Sequence, residues 1–260
     1  MNKKFHKLWE TKTKEDEWWS SFVTSPLAIL INYFVVYYKW LTPNLITLFS
    51  FIVAIIATGF IVIGGTTNFI IAAILIHFSH ILDCMDGQMA RYRGTSSRSG
   101  SYFDKLTDEI QVTIWFGAVA YAAYLQTQTI IPVFLAFFGV SFYLLRGYIK
   151  YVTIYTEMSD DKEYLIKKHQ ENLDKEKEKK ENAGLGFGIL ANLRWFIHEQ
   201  KKILSFDEGV FIFMLSAALI FNIFEPMLWV FAISQIFYGL YRGWQRGYQM
   251  AHNQQFTIKK

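Results

Sequence analysis

The sequence predicts an all-α, polytopic membrane protein with six transmembrane helices, preceded by an N-terminal interfacial amphipathic helix. The chain has 260 residues, of which 52% are hydrophobic and 18% aromatic. Soluble domains contain roughly 45 to 50% apolar residues even when glycine is counted. Apolar stretches of about 20 residues, the length that crosses a bilayer, recur along the chain. The basic residues are confined to alternate connections between these stretches and to the adjoining ends of the stretches, as in a membrane protein with a fixed orientation.

Residues 1–43 are interpreted as an N-terminal cytoplasmic segment that contains the interfacial helix. The stretch 21–40 is apolar enough to suggest a seventh span, but inserting it would carry the lysines of residues 1–20 across the membrane. Such a transfer opposes the positive-inside rule. Aromatic side chains that suit headgroup depth lie at both ends of the stretch, namely Trp18, Trp19, Tyr37, Tyr38 and Trp40. We therefore predict a helix that lies in the interface.

Residues 44–260 are predicted to form one six-helix domain. The predicted spans are residues 44–63, 69–90, 101–124, 129–152, 207–223 and 226–246. The connections GGTTN, LQTQT and NIFEP contain no basic residue, and all 26 lysines and arginines lie on the other side. Because positive charge marks the cytoplasmic side, both termini are expected to face the cytoplasm, with the protein integral to the cytoplasmic membrane.

A cytoplasmic insertion at about residues 157–205 interrupts the six-helix domain. Its first part, 157–182, carries mixed charge with Glu and Lys at helical spacing, which predicts a solvated helix. The net charge of +4 fits attraction to an anionic membrane leaflet. The sequence lacks the interleaved basic and aromatic residues that form a base-stacking surface, so no nucleic-acid partner is expected.

Four aspartates, Asp83, Asp86, Asp104 and Asp108, occur where the second and third predicted spans approach the cytoplasm. A charge near the centre of a membrane helix costs about 2.5 to 3.5 kcal/mol on insertion scales, so these acids need a compensating role. Helical spacing places Asp83 and Asp86 on one face and Asp104 and Asp108 on another. The short loop at 92–99 makes the two helices antiparallel, and the four carboxylates are therefore expected to converge.

Converging carboxylates would repel one another, by about 4 kcal/mol for a pair 4 Å apart at an effective dielectric constant near 20. One or two Mg²⁺ or Mn²⁺ ions would remove this repulsion and leave coordination positions for phosphate oxygens. Gly87 and Gly100 each lie one turn from a carboxylate, where a missing side chain gives a ligand room. Arg91 places positive charge nearby, so the pattern indicates a polyphosphate site.

The pattern D-x2-D-G-x2-A-R-x8-G-x3-D-x3-D runs without departure through these acids, ending at Asp108. In this pattern the chain resembles the CDP-alcohol phosphotransferase (phosphatidyltransferase) family. The segment LTPNLIT at 41–47 is similar to the family's entry into its first membrane helix. The resemblance implies transfer of a phosphoalcohol group from a CDP-linked donor to a second alcohol, with release of CMP, by a homodimer of six-helix protomers.

The resemblance also implies roles for individual residues. Asp83, Asp86 and Asp104 would be metal ligands. Asp108 would lie near a metal and act as the general base on the acceptor hydroxyl. The CDP site would be shaped by Gly87, Ala90, Arg91 and Gly100, and the same cavity would be lined by Asn44 and Thr47.

The leading hypothesis is a Mg²⁺- or Mn²⁺-dependent membrane enzyme of phospholipid synthesis, with CDP-diacylglycerol as donor and a small polar alcohol as acceptor. Transfer of a CDP-linked headgroup to a lipid alcohol uses the same chemistry and stays open. An intramembrane prenyltransferase and a cation-coupled transporter are the rival classes. Prenyltransferases of this kind are larger helical bundles whose two aspartate motifs lie far apart in sequence, whereas here the aspartates lie on consecutive helices. Transport sites normally lie at the bilayer midplane between internal repeats, and this sequence shows no internal repeat.

Several residues outside the pattern have competing interpretations. Anchoring in the headgroups explains the basic residues at the ends of two predicted spans, namely Arg146, Lys150, Arg242 and Arg246. Binding of an anionic acceptor by Arg146 or Arg194 is the alternative. His77 and His80 precede the aspartates on an apolar helix and are interpreted as packed core histidines rather than metal ligands.

Overall fold

The computed structural model describes residues 3–12, 17–178 and 188–257 of the chain. It is 88% helical, and the described residues contain no strand. A π-helical turn at Ser20–Thr24 leads directly into the second helix, and a 3₁₀ turn at Gln200–Ser205 follows the eighth. In chain order the α-helices are α1 (Lys3–Trp9), α2 (Ser25–Val35), α3 (Pro43–Ile63), α4 (Thr66–Arg93), α5 (Arg98–Thr127), α6 (Ile131–Asp160), α7 (Tyr164–Glu178), α8 (Ile189–Glu199), α9 (Glu208–Phe221) and α10 (Phe224–Thr257).

Each of the six predicted spans corresponds to a helix, namely α3, α4, α5, α6, α9 and α10. By length and composition, α3, α4 and α6 can cross a membrane, and α9 is a shorter apolar helix. Both α5 and α10 are long enough, but one half of each is polar. The described part of the chain thus contains three candidate spans, and the count of six stays a prediction.

The bundle core is formed by small residues where helices cross and by stacked aromatic rings. Ala54 and Ala57 of α3 and Ala72 of α4 are fully buried, and small residues let helix backbones approach closely. The Trp115 indole of α5 donates to the carbonyl of Ala54 over 3.2 Å. Phe116 stacks on Phe231 of α10 with ring centroids 3.8 Å apart. These contacts fix α5 between α3 and α10.

The helix predicted near the membrane surface is present, but its polar residues face the protein. Asn32 is fully buried and donates to the Met85 carbonyl of α4 over 2.9 Å. Gln88 of α4 donates in return to the carbonyl of Ser25 over 3.1 Å. The exposed face of α2 is apolar, with Leu30 and Phe34 at its surface. Because α4 supplies the hydrogen-bond partners, α2 turns its apolar face outward, and its depth in the interface stays a prediction.

The insertion begins with the mixed-charge helix that the sequence predicts. In α7 and the turn before it, Lys167 pairs with Asp161 over 2.8 Å and Lys168 with Glu171 over 3.1 Å. Residues 179–187 lie outside the described residues. Further along, α8 packs aromatic rings against the segment before α2, with Phe196 5.3 Å from Trp18 between centroids. The insertion therefore contacts the N-terminal segment.

Replacement of Gly139 by Ala should destabilise the bundle. A Cβ at Gly139 would lie 2.5 Å from the Phe231 ring and 3.4 Å from the Ala232 backbone, and Phe231 is held by its stack on Phe116. Overpacking of this kind costs about 1 to 3 kcal/mol. The matched control is Gly117→Ala in α5, where no described atom lies within 4 Å of the new Cβ. Thermal unfolding in detergent should show a lower midpoint for Gly139→Ala only, and equal midpoints would contradict the packing.

Candidate active site

The loop between α4 and α5 brings the aspartates to one end of the bundle. Gly94 ends α4 in the left-handed conformation at φ +65°, and the Thr95 N–H bonds back to the Ala90 carbonyl over 2.9 Å. The Ser97 hydroxyl caps α5 by accepting from the Gly100 N–H over 3.0 Å. Both α4 and α5 pack against α3 but have little direct backbone contact with each other. The predicted aspartate faces therefore meet across a gap.

Three of the four aspartates form one group in this gap. Asp83 of α4 and Asp104 and Asp108 of α5 each place a carboxylate oxygen within 4.8 Å of the others. The Oδ1 atom of Asp83 is buried and has no hydrogen-bond partner among the described residues. Asp86 lies outside this group and accepts a hydrogen bond from the Thr47 hydroxyl of α3. Asp83, Asp86 and Asp104 all line one cavity of about 340 Å³.

A second group shares Asp83 and adds a histidine and a glutamate. His80, Asp83 and Glu208 also place one ligand atom each within 4.8 Å of the others. His80 is 4% exposed, as expected of a core histidine, but both of its ring nitrogens face polar groups. Its Nδ1 lies 3.4 Å from Glu208 Oε1, and its Nε2 lies 2.9 Å from the Ser20 hydroxyl. His77, by contrast, is packed, with Nδ1 3.0 Å from the Ala73 carbonyl oxygen and 3.1 Å from the Ser216 hydroxyl.

The segment before α2 is tied to the start of α9 beside these groups. The Glu17 carboxylate accepts from the Ser20 hydroxyl and from the Gly209 N–H, the latter over 2.8 Å. Burial raises the pKa of Glu17, whereas the hydrogen bonds from Ser20 lower it. Since Ser20 also contacts His80, one chain of polar contacts runs from the N-terminal segment to Glu208.

Gly87 and Arg91 form another part of the 340 Å³ cavity. A Cβ at Gly87 would lie 3.2 Å from Nη1 of Arg91, so the absent side chain lets the guanidinium fold over the helix. The Arg91 Nε donates to the Thr11 carbonyl over 2.7 Å. Arg91 therefore folds back beside the carboxylates that line this cavity.

Four residues of the predicted donor site are not among the described residues that line this cavity, namely Asn44, Thr47, Ala90 and Gly100. A Cβ at Gly100 would lie 3.1 Å from the Asn44 side-chain oxygen, so Gly100 lets α3 and α5 approach closely. The Thr47 hydroxyl donates to Asp86, which lines the cavity. The Ala90 carbonyl accepts from the Thr95 N–H at the end of α4. Asp108 lines an adjoining cavity of about 100 Å³ together with Asp83.

Arg146 does not reach outward to the membrane surface, in contrast to the anchoring role considered from the sequence. Its side chain is 9% exposed. The guanidinium donates to the Ser205 carbonyl, to Gln235 and, over 3.4 Å, to Asp207. Arg146 thus fixes the chain that leads into α9 against α6 and α10.

Sequence reasoning missed Glu208 and Glu17, and it assigned His80 to the core. His80 lies three residues before Asp83, so helical spacing alone could have placed it on the aspartate face. Glu208 opens an apolar helix far from the aspartates in sequence, and no spacing rule connects them. The donor set of carboxylate oxygens suits a hard divalent cation, and the unpartnered oxygen of Asp83 fits such an ion.

These features define a helical membrane protein with a carboxylate site at one end of its bundle. Residues 40–237 match the family model described as CDP-alcohol phosphatidyltransferase. The chain therefore belongs to this family, as its sequence pattern predicts. A protein of Aquifex aeolicus (strain VF5), described as an uncharacterized protein, is 31% identical over 126 residues. The similar segment covers 46% of this chain and 62% of that relative.

Replacement of Gly209 by Ala should release the N-terminal segment from α9. The new Cβ would overlap the Glu17 carboxylate and the Ser20 hydroxyl, which are held against the helix backbone. Hydrogen exchange of the Ser20–Thr24 amides should accelerate by about tenfold or more, because opening this turn no longer breaks the bond to Gly209. Gly247→Ala in α10, where no described atom lies within 4 Å, is the control. Unchanged exchange in Gly209→Ala would show that Glu17 does not tie the segment down.

Proposed function

We propose that this protein transfers a phosphoalcohol group from a CDP-linked donor to an alcohol acceptor and releases CMP. The observation that carries the proposal is the group of three carboxylates on α4 and α5, in a chain that belongs to the CDP-alcohol phosphatidyltransferase family. Intramembrane acids are functional by default because of their insertion cost. Family membership favours this reaction over the prenyl-transfer and transport hypotheses.

In the proposed reaction the acceptor hydroxyl oxygen attacks the β-phosphorus of the donor. A new oxygen–phosphorus bond forms, the bond from that phosphorus to the bridging oxygen breaks, and the bridging oxygen leaves with CMP. Asp108 takes the hydroxyl proton, since it lines the small cavity that adjoins the carboxylate group. Arg91, folded over Gly87, is placed to neutralise diphosphate oxygens.

One or two Mg²⁺ or Mn²⁺ ions are the proposed cofactors. Asp83, Asp86 and Asp104 would be the main ligands. Asp108, which is grouped with Asp83 and Asp104, would lie beside the ion and be held less tightly, so that it can act as the base. Such an ion would neutralise the negative charge that develops on the leaving CMP. Asp83 belongs to both groups, and the Glu208 carboxylate that pairs with His80 lies beside it. Gly100, Ala90, Asn44 and Thr47 are proposed to support the donor site by shaping the helices around it.

We propose CDP-diacylglycerol as donor and a small polar alcohol as acceptor, in phospholipid biosynthesis. A site at one end of a membrane bundle is accessible both to a lipid donor and to a water-soluble acceptor. Transfer of a CDP-linked headgroup to a lipid alcohol is the alternative, and it would use the same residues. An assay in which each donor is supplied alone separates these two reactions.

The proposed topology has six spans, with both termini and the site on the cytoplasmic side. The connections after α3, α5 and α9 carry no basic residue, whereas the opposite ends of the helices are basic. The 14 residues of α9 rise about 21 Å, less than a hydrocarbon core of about 30 Å, so this helix would need local thinning or flanking residues. A homodimer in the cytoplasmic membrane completes the proposal.

Purified protein should release CMP from CDP-diacylglycerol when Mg²⁺ or Mn²⁺ and a suitable alcohol are added. The panel of acceptors would include serine, inositol, glycerol phosphate and inositol phosphate, with CDP-linked headgroups and diacylglycerol as the converse pair. Removing the metal with EDTA should abolish release, and adding Mn²⁺ should restore it. Protein that is shown to be folded but releases no CMP with any pair would refute the proposed function.

Asp108→Asn should lower the rate of CMP release by about 10²- to 10⁴-fold, because it removes the base but keeps the shape of the side chain. Binding of CDP in the presence of Mn²⁺ should change little, as measured by calorimetry. Asp161→Asn, which alters a half-exposed acid in the turn before α7, is the control. Loss of both CDP binding and turnover would place Asp108 among the main metal ligands instead.

A further inference from the structure

A second cavity adjoins the carboxylate groups but is lined by none of the four aspartates. It has a volume of about 830 Å³ and is lined by the second halves of α6 and α10, by α7 of the insertion and by the start of α9. Neither the sequence pattern nor the aspartates account for it. Its volume is in the range of small-molecule sites, about 300 to 1,000 Å³.

The walls of this cavity are rich in cations. The basic side chains that line it are Arg146 and Lys150 of α6, Lys168 of α7, and Arg242 and Arg246 of α10. Arg146 is held by Asp207, and Lys168 pairs with Glu171. Among the described residues, the exposed side chains of Lys150 and Arg242 make no hydrogen bond or ion pair. Two cations from different helices thus line one cavity with no carboxylate within ion-pair distance of either, which favours an anionic ligand.

The cavity adjoins the proposed base. Glu109, Tyr143 and Glu208 line both the 830 Å³ cavity and the 100 Å³ cavity that contains Asp108. Glu109 also lies against Gly147 of α6, one turn before Lys150, so the acids and the cations line one continuous space. A ligand with an anionic group and a hydroxyl would place its anion among the cations and its hydroxyl toward Asp108.

We propose that the 830 Å³ cavity binds the acceptor alcohol and that this acceptor carries a phosphomonoester. The acceptor role rests on the proposed function, whereas phosphate binding does not. A dianionic phosphate matches two unpaired cations, and an uncharged alcohol such as glycerol or inositol offers them no anionic group. The insertion forms one wall, because Tyr164, Lys168 and His169 of α7 line the cavity. The insertion therefore serves acceptor selection.

The first test measures binding without turnover. Calorimetry in detergent would use glycerol phosphate, inorganic phosphate and glycerol as probes, with no donor present. The wild type should bind glycerol phosphate and not glycerol. The double variant Lys150→Gln, Arg242→Gln should raise the Kd for glycerol phosphate by at least about tenfold. Lys39→Gln, an exposed lysine that does not line the cavity, is the matched control.

An equal Kd in the double variant and the control would overturn the proposal. Unchanged binding of CDP with Mn²⁺ would show that the double variant is folded. If it is not folded, the single variant Lys168→Gln on exposed α7 replaces it, with an expected rise in Kd of at least about threefold.

The second test separates a soluble phosphomonoester from a lipid headgroup. Binding of glycerol phosphate would be repeated in nanodiscs of phosphatidylcholine and of phosphatidylglycerol. Equal binding in both supports a soluble ligand, and loss of binding in phosphatidylglycerol shows that lipid phosphate occupies the cavity and overturns the acceptor role.

The third test is the acceptor panel itself. A lower KM for phosphorylated than for neutral alcohols, raised by the double variant without a change in kcat, supports the proposal. Release of CMP with neutral acceptors alone would overturn the acceptor class and leave the transferase function standing. Absence of CMP release together with phosphate binding would instead refute the proposed function and leave the anion site standing.

Discussion

The structure depends on one electrostatic constraint, the gathering of carboxylates at the end of an otherwise apolar bundle. Asp83, Asp104 and Asp108 lie close enough to repel one another, and Asp83 has a buried oxygen without a described partner. Such a group is unfavourable without a counter-charge, because its desolvation and its repulsion add. The surrounding helices hold these acids at fixed positions. α3 contacts both α4 and α5 and keeps them apart, so the carboxylates face a space rather than the opposite helix.

Segments distant in sequence complete the surroundings of the acids. The start of α9 brings Glu208 to His80, and the segment before α2 brings Glu17 and Ser20 to the same place. Arg146 anchors the chain before α9 to α6 and α10, and it also lines the 830 Å³ cavity. The carboxylate site and the 830 Å³ cavity are therefore both supported by the residues that lead into α9.

The features that could be predicted from the sequence are those that local helix geometry controls, namely the positions of the helices and the faces that carry the aspartates. Spacing of three and four residues correctly placed Asp83, Asp104 and Asp108 on facing helix surfaces. Hydropathy located the helices α3, α4, α5, α6, α9 and α10. The sequence could not predict Glu208 or Glu17, because contacts across long sequence separations are set by tertiary packing. The orientation of α2 was also beyond reach, since hydropathy does not reveal that α4 offers partners to Asn32.

The π-helical turn at Ser20–Thr24 sets the rotational phase of the N-terminal segment. A π turn accommodates one residue more than an α turn, and each residue of an α-helix turns the chain by about 100°. This extra residue lets one continuous rod direct Ser20 toward His80 and, further along, Asn32 toward α4. Removing one residue from the turn would rotate Asn32 by about 100° relative to Ser20. The contact of Ser20 with His80 and the hydrogen bond of Asn32 to α4 could then not form at the same time.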